Sequence, residues 1–229
     1  YNQTVTATGR LSSSNPNLQN IPVGETAGIN VRDAFVADPG KKLLAADYSQ
    51  VELRVMAHFS NDPGLIDAFA NNFDIHQHTA DMVFGEDSEI SAKEKRKRAK
   101  IINFSVLYGS GPFSLSKELG VSYNEAKEFI DTYFEKHAGV KQFMDDVIAK
   151  AEENPEVRTM SGRHREIPEI QSSNNTVKEN GKRMAINTVI QGSAADIIKQ
   201  AMIDIQDELE TRDMKSRMVM QVHDELVFE

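Results

Sequence analysis

Residues 42–47 are KLLAAD and residues 217–228 are RMVMQVHDELVF, and these two apolar segments set the expected fold. In the second segment the polar residues His223, Asp224 and Glu225 separate two apolar runs, which is the pattern of two strands joined by a tight hairpin. The first segment predicts a short buried strand that ends at an acid. Strands are therefore expected near both ends of the chain.

The middle of the chain carries the signals of successive helices. Helix starts are predicted at Asp62, Ser91 and Ser122, where a capping residue precedes a helical pattern. Periodicity and capping signals predict four further elements: a helix opened by a capping box at 49–52, a helix over 140–153, an extended excursion over 157–167 and a long helix over 178–209. The pattern as a whole predicts an α+β fold with a helical middle.

The composition is that of a soluble globular protein. Of the 229 residues, 39% are hydrophobic and 27% are charged, and no apolar run is long enough to cross a membrane. Because the chain has no cysteine, any metal must be held by oxygen or imidazole, and a reducing, cytoplasmic location is expected. The net charge of −9 argues weakly against a nucleic-acid partner. The chain starts at Tyr1 and stops inside an apolar run, so we expect a fragment.

Acidic residues at the two strand-bearing ends are the first candidates for chemistry. Asp47 ends the first predicted strand, and Asp224 with Glu225 lies in the predicted hairpin. Taken singly, each is more simply a cap or a solvent-facing turn residue. If one sheet contains both segments, the carboxylates converge, and a cluster of hard oxygen ligands suits Mg²⁺ or Mn²⁺. Two such ions would serve an in-line phosphoryl displacement.

A basic segment supplies a complementary candidate. Six of the eight residues in 93–100 are Lys or Arg. Four residues at four-residue spacing form one stripe of the predicted helix, with two cations followed by two aromatic rings: Arg96, Lys100, Phe104 and Tyr108. A solvated surface and ordinary core contacts would explain the same residues, but the order of cations and rings favours a triphosphate next to a base or sugar.

These residues lie in motifs that resemble family A DNA polymerases, the bacterial DNA polymerase I type. Residues 47–54 resemble motif A, residues 96–109 resemble motif B and residues 222–225 resemble motif C, in the family's order. The resemblance extends over the rest of the chain through 8–22, 74–76 and 183–196. Gly24, Ser105 and the pair His137–Ala138 depart from residues common in the family, and none of them falls on the acids.

The resemblance implies a polymerase palm, an antiparallel sheet with helices, into which a helical fingers subdomain is inserted. We expect the first part of the palm over 1–60, the fingers over 61–177 and the second part of the palm over 178–229. The thumb and exonuclease domains of the family are expected to lie outside the sequence.

The resemblance also assigns roles. Asp47, Asp224 and the Tyr48 carbonyl would bind two Mg²⁺ ions, with Mn²⁺ as an alternative, and Glu225 would support the reaction centre. His76, Arg96 and Lys100 would bind the triphosphate, with Lys100 also serving the leaving pyrophosphate. At the nucleotide, Phe104 would pack against the sugar, Tyr108 would lie near the templating base, and Glu52 would block a ribose 2′-hydroxyl. In the minor groove of the DNA, hydrogen bonds would come from Arg10, Asn187 and Gln191. The primer end would be supported by Gln50, Arg183 and His223.

The function implied is template-directed DNA synthesis on primer-template DNA with deoxynucleoside triphosphates, by a monomeric enzyme without a membrane partner. Three alternatives stay open: a metal-dependent nuclease or phosphatase using the same carboxylates, a non-catalytic nucleic-acid-binding fragment, and a single-subunit RNA polymerase. Glu52 and the surroundings of Phe104 favour deoxynucleotides over ribonucleotides. For Arg183, Asn187 and Gln191 the simpler alternative is an exposed polar stripe on a helix.

Overall fold

The computed structural model describes residues 1–25, 28–85 and 90–229. Its elements are strands β1 (Leu44–Asp47), β2 (Glu156–Arg158), β3 (His164–Glu166), β4 (Met218–Val222) and β5 (Glu225–Phe228), and helices α1 (Val51–Ser60), α2 (Pro63–Ala70), α3 (Ile75–Phe84), α4 (Ala92–Leu107), α5 (Pro112–Leu119), α6 (Tyr123–Lys136), α7 (Ala138–Glu153) and α8 (Asn175–Thr211). No helix in these ranges is both long and apolar enough to span a membrane.

The predicted α+β class is confirmed, with antiparallel sheets and a helical body between the terminal strands. The chain forms two compact units. The first unit consists of residues 1–51 and 191–229, and the second unit consists of residues 52–190. The names palm and fingers, and the bounds 1–60, 61–177 and 178–229 predicted for them, stay a prediction.

The first unit contains a three-stranded antiparallel sheet in the order β1-β5-β4. The hairpin predicted at the end of the chain is present, with β4 ending at Val222 and β5 starting at Glu225. Glu225 therefore belongs to a strand and not to the turn. The turn residue His223 has φ = 53°, a left-handed conformation that a residue with a Cβ adopts only at some cost.

The prediction that the first strand is buried is wrong. All four residues of β1 are exposed, and Leu44 retains 62% of its surface. Pairing with β5 satisfies backbone groups only, whereas burial of side chains requires another layer on a face of the sheet, and within the described residues no layer covers β1. The apolar run in 42–47 identified a strand correctly but did not reveal how its faces are covered.

Capping residues start the helices of the second unit as predicted. The Asp62 carboxylate accepts a hydrogen bond from the Leu65 N–H at the start of α2, Ser91 caps α4, and Ser122 forms a capping box with Glu125 at the start of α6. The capping box predicted at 49–52 places its helix start too early. Helix α1 begins at Val51, after Gln50 with φ = 54°.

The second unit has an apolar core formed mainly by helices. Fully buried side chains come from α2 to α6 and from α8: Leu65, Ile75, Ile102, Leu115, Tyr133 and Ile190. The extended excursion is the β2–β3 hairpin, which is antiparallel. At Gly181 of α8 a Cβ atom would lie 2.5 Å from the Ile170 nitrogen, so this close backbone approach requires glycine.

We expect acid to destabilise the second unit through His137. Its Nδ1 lies 2.7 Å from the Asp62 Oδ1, and both side chains are buried. Burial lowers the pKa of His137 below its ordinary value, and the attraction of Asp62 only partly opposes this. Because the unfolded imidazole takes up a proton at about pH 6.5, before the folded one, the contribution of His137 to stability is complete above that pH and decreases as the pH falls below it.

The test is the melting temperature between pH 7.5 and pH 5 in the original chain and in His137→Asn, which keeps an N–H donor for Asp62 but does not titrate. We expect a shallower decrease in the variant. His58→Asn, at an exposed position of α1, is the matched control. Equal slopes in the original chain and in His137→Asn would contradict the prediction.

Candidate active site

Strand register brings Asp47 and Asp224 together in the first unit. Asp47 ends β1 directly opposite Glu225, the first residue of β5, and Asp224 precedes that residue in the turn. The Tyr48 N–H donates to the Asp224 carbonyl oxygen over 2.9 Å. Two acids that are 177 residues apart in sequence (224 − 47) are thus neighbours in space, as the apolar segments around them predicted.

Asp224 lies near one negative charge, that of Asp47, and near the positive charge of Arg10. Its side chain is about one quarter exposed, and the Arg10 guanidinium lies 3.5 Å from its Oδ1. Burial raises the pKa of Asp224 above its ordinary value, and the negative charge of Asp47 adds to the increase, whereas Arg10 opposes it. An added cation at this position would relieve the repulsion between the two carboxylates.

The donor set of this pair fits a divalent cation. Asp47 and Asp224 offer carboxylate oxygens, and Tyr48 adds a carbonyl oxygen, which also accepts the Val51 N–H over 3.3 Å. All are hard ligands of the kind that Mg²⁺ and Mn²⁺ prefer. Within residues 1–25, 28–85 and 90–229, no group of three or more His, Asp or Glu side chains is arranged to hold an ion, so Glu225 does not complete a carboxylate triad with the pair.

Two glutamines hold the turn that carries Asp224. The Gln221 side chain is buried, and its amide donates to the His223 carbonyl oxygen. Gln19 in turn donates its side-chain N–H to the Gln221 Oε1 over 2.8 Å. The Tyr1 hydroxyl bonds both the N–H and the carbonyl of Gln221. The turn at His223 is thereby held through Gln221 by Gln19 and Tyr1, which lie 202 and 220 positions from Gln221 in sequence.

Three predicted DNA-binding residues surround one pocket of the first unit. Arg10, Gln191 and His223 all line this cavity of about 270 Å³, together with Gln19 and Gln221. Arg10 and Gln191 are half-buried, whereas His223 is exposed. The structure thus places side-chain donors around an opening near Asp224. Gln50, directly before α1, belongs to the same unit.

In the second unit the predicted stripe lies on α4 and its C-terminal cap. Arg96 is exposed and its Nε lies 2.8 Å from the Asp74 Oδ2. Lys100 is exposed and forms no hydrogen bond or ion pair within the part of the chain that the structure describes. The Phe104 and Tyr108 rings stack at 6.1 Å with an interplanar angle of 29°. The order of two cations and two rings along the helix is therefore retained in space.

His76 approaches this stripe from α3. Its ring centroid lies 6.0 Å from that of Phe104, and its Nδ1 lies 3.0 Å from the amide nitrogen of Asn103, on α4. Burial lowers the pKa of His76, the charges of Arg96 and Lys100 lower it further, and Asp74 opposes them. The ring is consequently neutral at physiological pH.

Glu52 and Tyr108 form a pair inside the second unit. The Tyr108 hydroxyl donates to the Glu52 Oε2 over 2.7 Å, and Glu52 is buried. Glu52 thus directs one carboxylate oxygen at a residue 56 positions away. The local capping interaction predicted for Glu52 stays a prediction beside this hydrogen bond.

Arg183 and Asn187 lie one turn apart on α8, with Gln191 one turn further along. Arg183 is exposed and donates to the Asn180 side chain over 3.3 Å. Among the described residues, the Asn187 Oδ1 is one of the few buried side-chain oxygens without a hydrogen-bond partner. A buried polar atom of this kind calls for an explanation, which a ligand or water would supply.

Sequence reasoning missed several residues around these sites. Gln19 and Gln221 hold the Asp224 turn, and Thr79 and Asn103 hold His76. Gln221 left a local signal, because it is a polar residue within the apolar run 218–222, whereas Gln19 and Asn103 lie in stretches that resemble the family but were given no role. The roles predicted for all site residues stay predictions.

Comparisons with known proteins agree with one another. A family model described as DNA polymerase family A matches residues 1–229. DNA polymerase I of Pseudomonas aeruginosa is 48% identical over 229 residues, which are 100% of this chain and 25% of the relative. DNA polymerase I of Bacillus subtilis is 48% identical over 232 residues, which cover 100% of this chain and 26% of the relative.

A solved structure has the same fold. It is described as the POL domain of Pol1 from M. smegmatis in complex with DNA primer-template and dNTP. The TM-score is 0.90 at 44% identity, and the match covers 100% of this chain and 40% of that one. The chain thus spans about a quarter of the length of the curated relatives it matches.

Proposed function

Because the chain belongs to DNA polymerase family A, we propose that it supplies the palm and fingers of a template-directed DNA polymerase. In the proposed reaction the primer 3′-oxygen loses its proton and attacks the α-phosphorus of a deoxynucleoside triphosphate. The new P–O bond forms as the bond to the β-phosphate oxygen breaks, and pyrophosphate leaves. The observation that carries the proposal is the juxtaposition of Asp47 and Asp224 by strand register.

Asp47, Asp224 and the Tyr48 carbonyl would hold the two Mg²⁺ ions, and Glu225 on β5 would support them. When bound, such ions favour deprotonation of the attacking hydroxyl and neutralise charge on the leaving oxygen. The chain itself contributes the position of the carboxylates. Gln19 and Gln221 fix the turn before Asp224, so that the site is formed before a ligand arrives.

Residues of the second unit would bind the nucleotide. Arg96 and Lys100 would contact the phosphates, and Lys100 would stabilise the negative charge that develops on pyrophosphate. His76 would donate a hydrogen bond to the same group. Phe104 would pack against the sugar, and Tyr108 would lie near the templating base.

Primer-template DNA is the proposed macromolecular partner, as in the M. smegmatis complex. Arg10, Asn187 and Gln191 would donate hydrogen bonds in the minor groove, where every base pair presents acceptors and pair shape is tested more than sequence. Gln50, Arg183 and His223 would support the primer end and the binding surface. The acidic net charge does not oppose this, because phosphate contacts depend on local cations.

Primer extension tests the proposed function. A labelled primer on a defined template is incubated with Mg²⁺ and the four deoxynucleoside triphosphates, using the chain alone and the chain within a longer family A protein. We expect template-directed, Mg²⁺-dependent extension. Absence of extension in both proteins would overturn the proposal. Shortening of the DNA without incorporation would instead support a nuclease.

Phe104→Tyr should ease acceptance of a nucleotide that lacks its 3′-hydroxyl. The added phenol hydroxyl can occupy the position of the missing group and restore a hydrogen bond, worth about 1–2 kcal/mol or roughly 5- to 30-fold in discrimination. The measurement is the ratio of kcat/KM for deoxy- and dideoxynucleotides. Phe129→Tyr, on α6, is a control with the same chemical change. Unchanged discrimination in Phe104→Tyr would show that this ring does not face the sugar.

Glu52→Ala should weaken discrimination against ribonucleotides. The carboxylate, held by the Tyr108 hydroxyl, would no longer fill the space next to the sugar C2′. We expect discrimination to fall by about tenfold or more, since rejection of one extra hydroxyl by packing is worth roughly 1–3 kcal/mol. Single-nucleotide incorporation with ribo- and deoxynucleotides measures it. Tyr108→Phe leaves Glu52 in place and removes only the hydrogen bond from the Tyr108 hydroxyl, so it should have a smaller effect, and the reverse order would contradict the assignment.

A further inference from the structure

His76, Asn103 and Thr79 form a continuous chain of hydrogen bonds inside the second unit. The amide nitrogen of Asn103 lies 3.0 Å from the His76 Nδ1, and the Asn103 Oδ1 lies 3.0 Å from the Thr79 hydroxyl. Asn103 and Thr79 are fully buried, and His76 is only 4% exposed. Each side chain is thus shielded from water, which would otherwise compete for these bonds.

The chain of bonds has a direction. The single proton of the Thr79 hydroxyl is shared between the Asn103 Oδ1 at 3.0 Å and the Ile75 carbonyl oxygen at 2.9 Å, so the Asn103 oxygen faces a donor. With its oxygen engaged by Thr79, Asn103 turns its NH₂ group to His76. An amide nitrogen donates only, so the His76 Nδ1 must accept and cannot carry a proton.

The hydrogen bond from Asn103 selects one tautomer of His76 because the ring is neutral. Among the described residues, Asp74, Arg96 and Lys100 are the charged groups around His76, and burial together with the two cations lowers the pKa of the imidazole below its ordinary value, which favours the neutral ring at pH 7. A neutral imidazole has one donor nitrogen and one acceptor nitrogen. Because Nδ1 accepts from Asn103, the single proton lies on Nε2.

We propose that Asn103 and Thr79 are positioning residues that hold His76 as the Nε2–H tautomer, so that it offers an uncharged hydrogen-bond donor to a phosphate oxygen of the incoming nucleotide. The other tautomer would present a nitrogen lone pair to an anionic oxygen and repel it. The identity of the ligand rests on the proposed function, whereas the tautomer rests on the three side chains alone.

Nitrogen NMR of the uniformly labelled chain tests the tautomer without any substrate. The Nδ1 and Nε2 signals of a neutral imidazole differ strongly according to which nitrogen is protonated, and loss of one pair of signals in His76→Asn identifies those of His76. We expect an unprotonated Nδ1 and a protonated Nε2. A protonated Nδ1 in the original chain would overturn the proposal, whatever the polymerase activity.

Two variants of Thr79 test the positioning role. Thr79→Val keeps the shape but removes the hydroxyl, so the Asn103 amide can rotate, and we expect mixed tautomers and a dissociation constant for deoxynucleoside triphosphate raised by about fivefold. Thr79→Ser restores the hydroxyl and should restore both readouts. Asn103→Asp turns the donor into an acceptor and should move the proton to Nδ1, with weaker nucleotide binding.

The outcomes separate the two proposals. If Thr79→Val and Asn103→Asp shift the proton but leave the nucleotide dissociation constant unchanged, the positioning role is overturned. If primer extension fails while the Nε2–H signal and its response to the variants are observed together with weakened triphosphate binding, the positioning role stands and the polymerase proposal fails. Far-ultraviolet circular dichroism confirms that each variant is folded.

Discussion

We expect Asp224→Asn to abolish the proposed nucleotide addition while leaving the chain folded and its proposed binding of primer-template intact. The substitution preserves the shape of the side chain but takes away one of two converging carboxylates in the proposed metal site. Loss of about 4 kcal/mol or more of transition-state stabilisation corresponds to a decrease in kcat of roughly a thousandfold or more. Asp47→Asn should behave in the same way, because both carboxylates serve one site.

Two measurements separate this loss of metal binding from unfolding. Electron paramagnetic resonance of Mn²⁺ titrated into the protein without DNA reports the metal site directly, and the melting temperature reports the fold. Asp207→Ala, at an exposed position of α8, is the control for loss of an acid in the first unit. If Asp224→Asn retains the original rate or the original Mn²⁺ affinity, the paired carboxylates are not the metal site.

The Asp47–Asp224 pair was predictable from the sequence because strands are recognisable by local pattern. An apolar run next to an acid predicts where each strand ends, and pairing of the two strands then brings the acids together. The capping residues Asp62, Ser91 and Ser122 fixed helix starts for the same reason, since the capping interaction is made within one turn. The positive charge next to Asp224 comes from Arg10, and no local sequence pattern connects these two residues.

Burial and side-chain networks were the parts that the sequence did not reveal. The exposure of β1 depends on whether another layer covers the faces of its sheet, and a local apolar run does not reveal this. Gln19 reaches Gln221 and Thr79 reaches Asn103 across 202 and 24 residues respectively, with no periodic signal between them. The hydrogen bond between Tyr108 and Glu52 likewise joins a motif B residue to a motif A residue.

Lys100→Ala should reduce kcat/KM for nucleotide addition by roughly 100- to 1000-fold, the usual effect of removing one donor that stabilises developing negative charge. Its neighbours on α4 are engaged: Arg96 pairs with Asp74, Arg98 pairs with Glu94, and Lys95 donates to the Gly85 carbonyl. Lys100 forms no such bond within the described residues. Its ammonium group can therefore bind a phosphate without giving up a hydrogen bond or ion pair to any described residue.

Lys97→Ala is the matched control, because it removes the same charge from the same helix at a position 72% exposed and only loosely paired with Glu94 at 4.0 Å. We expect it to change the rate by less than about threefold. Lys100→Arg keeps the charge but not the compact ammonium group and should recover part of the activity. A general loss of DNA affinity would reduce the activity of both alanine variants equally. The rate of a phosphodiesterase would not change in either variant. Only a specific contact between Lys100 and the leaving phosphates predicts that the two lysines differ, with the loss in kcat exceeding any change in DNA binding.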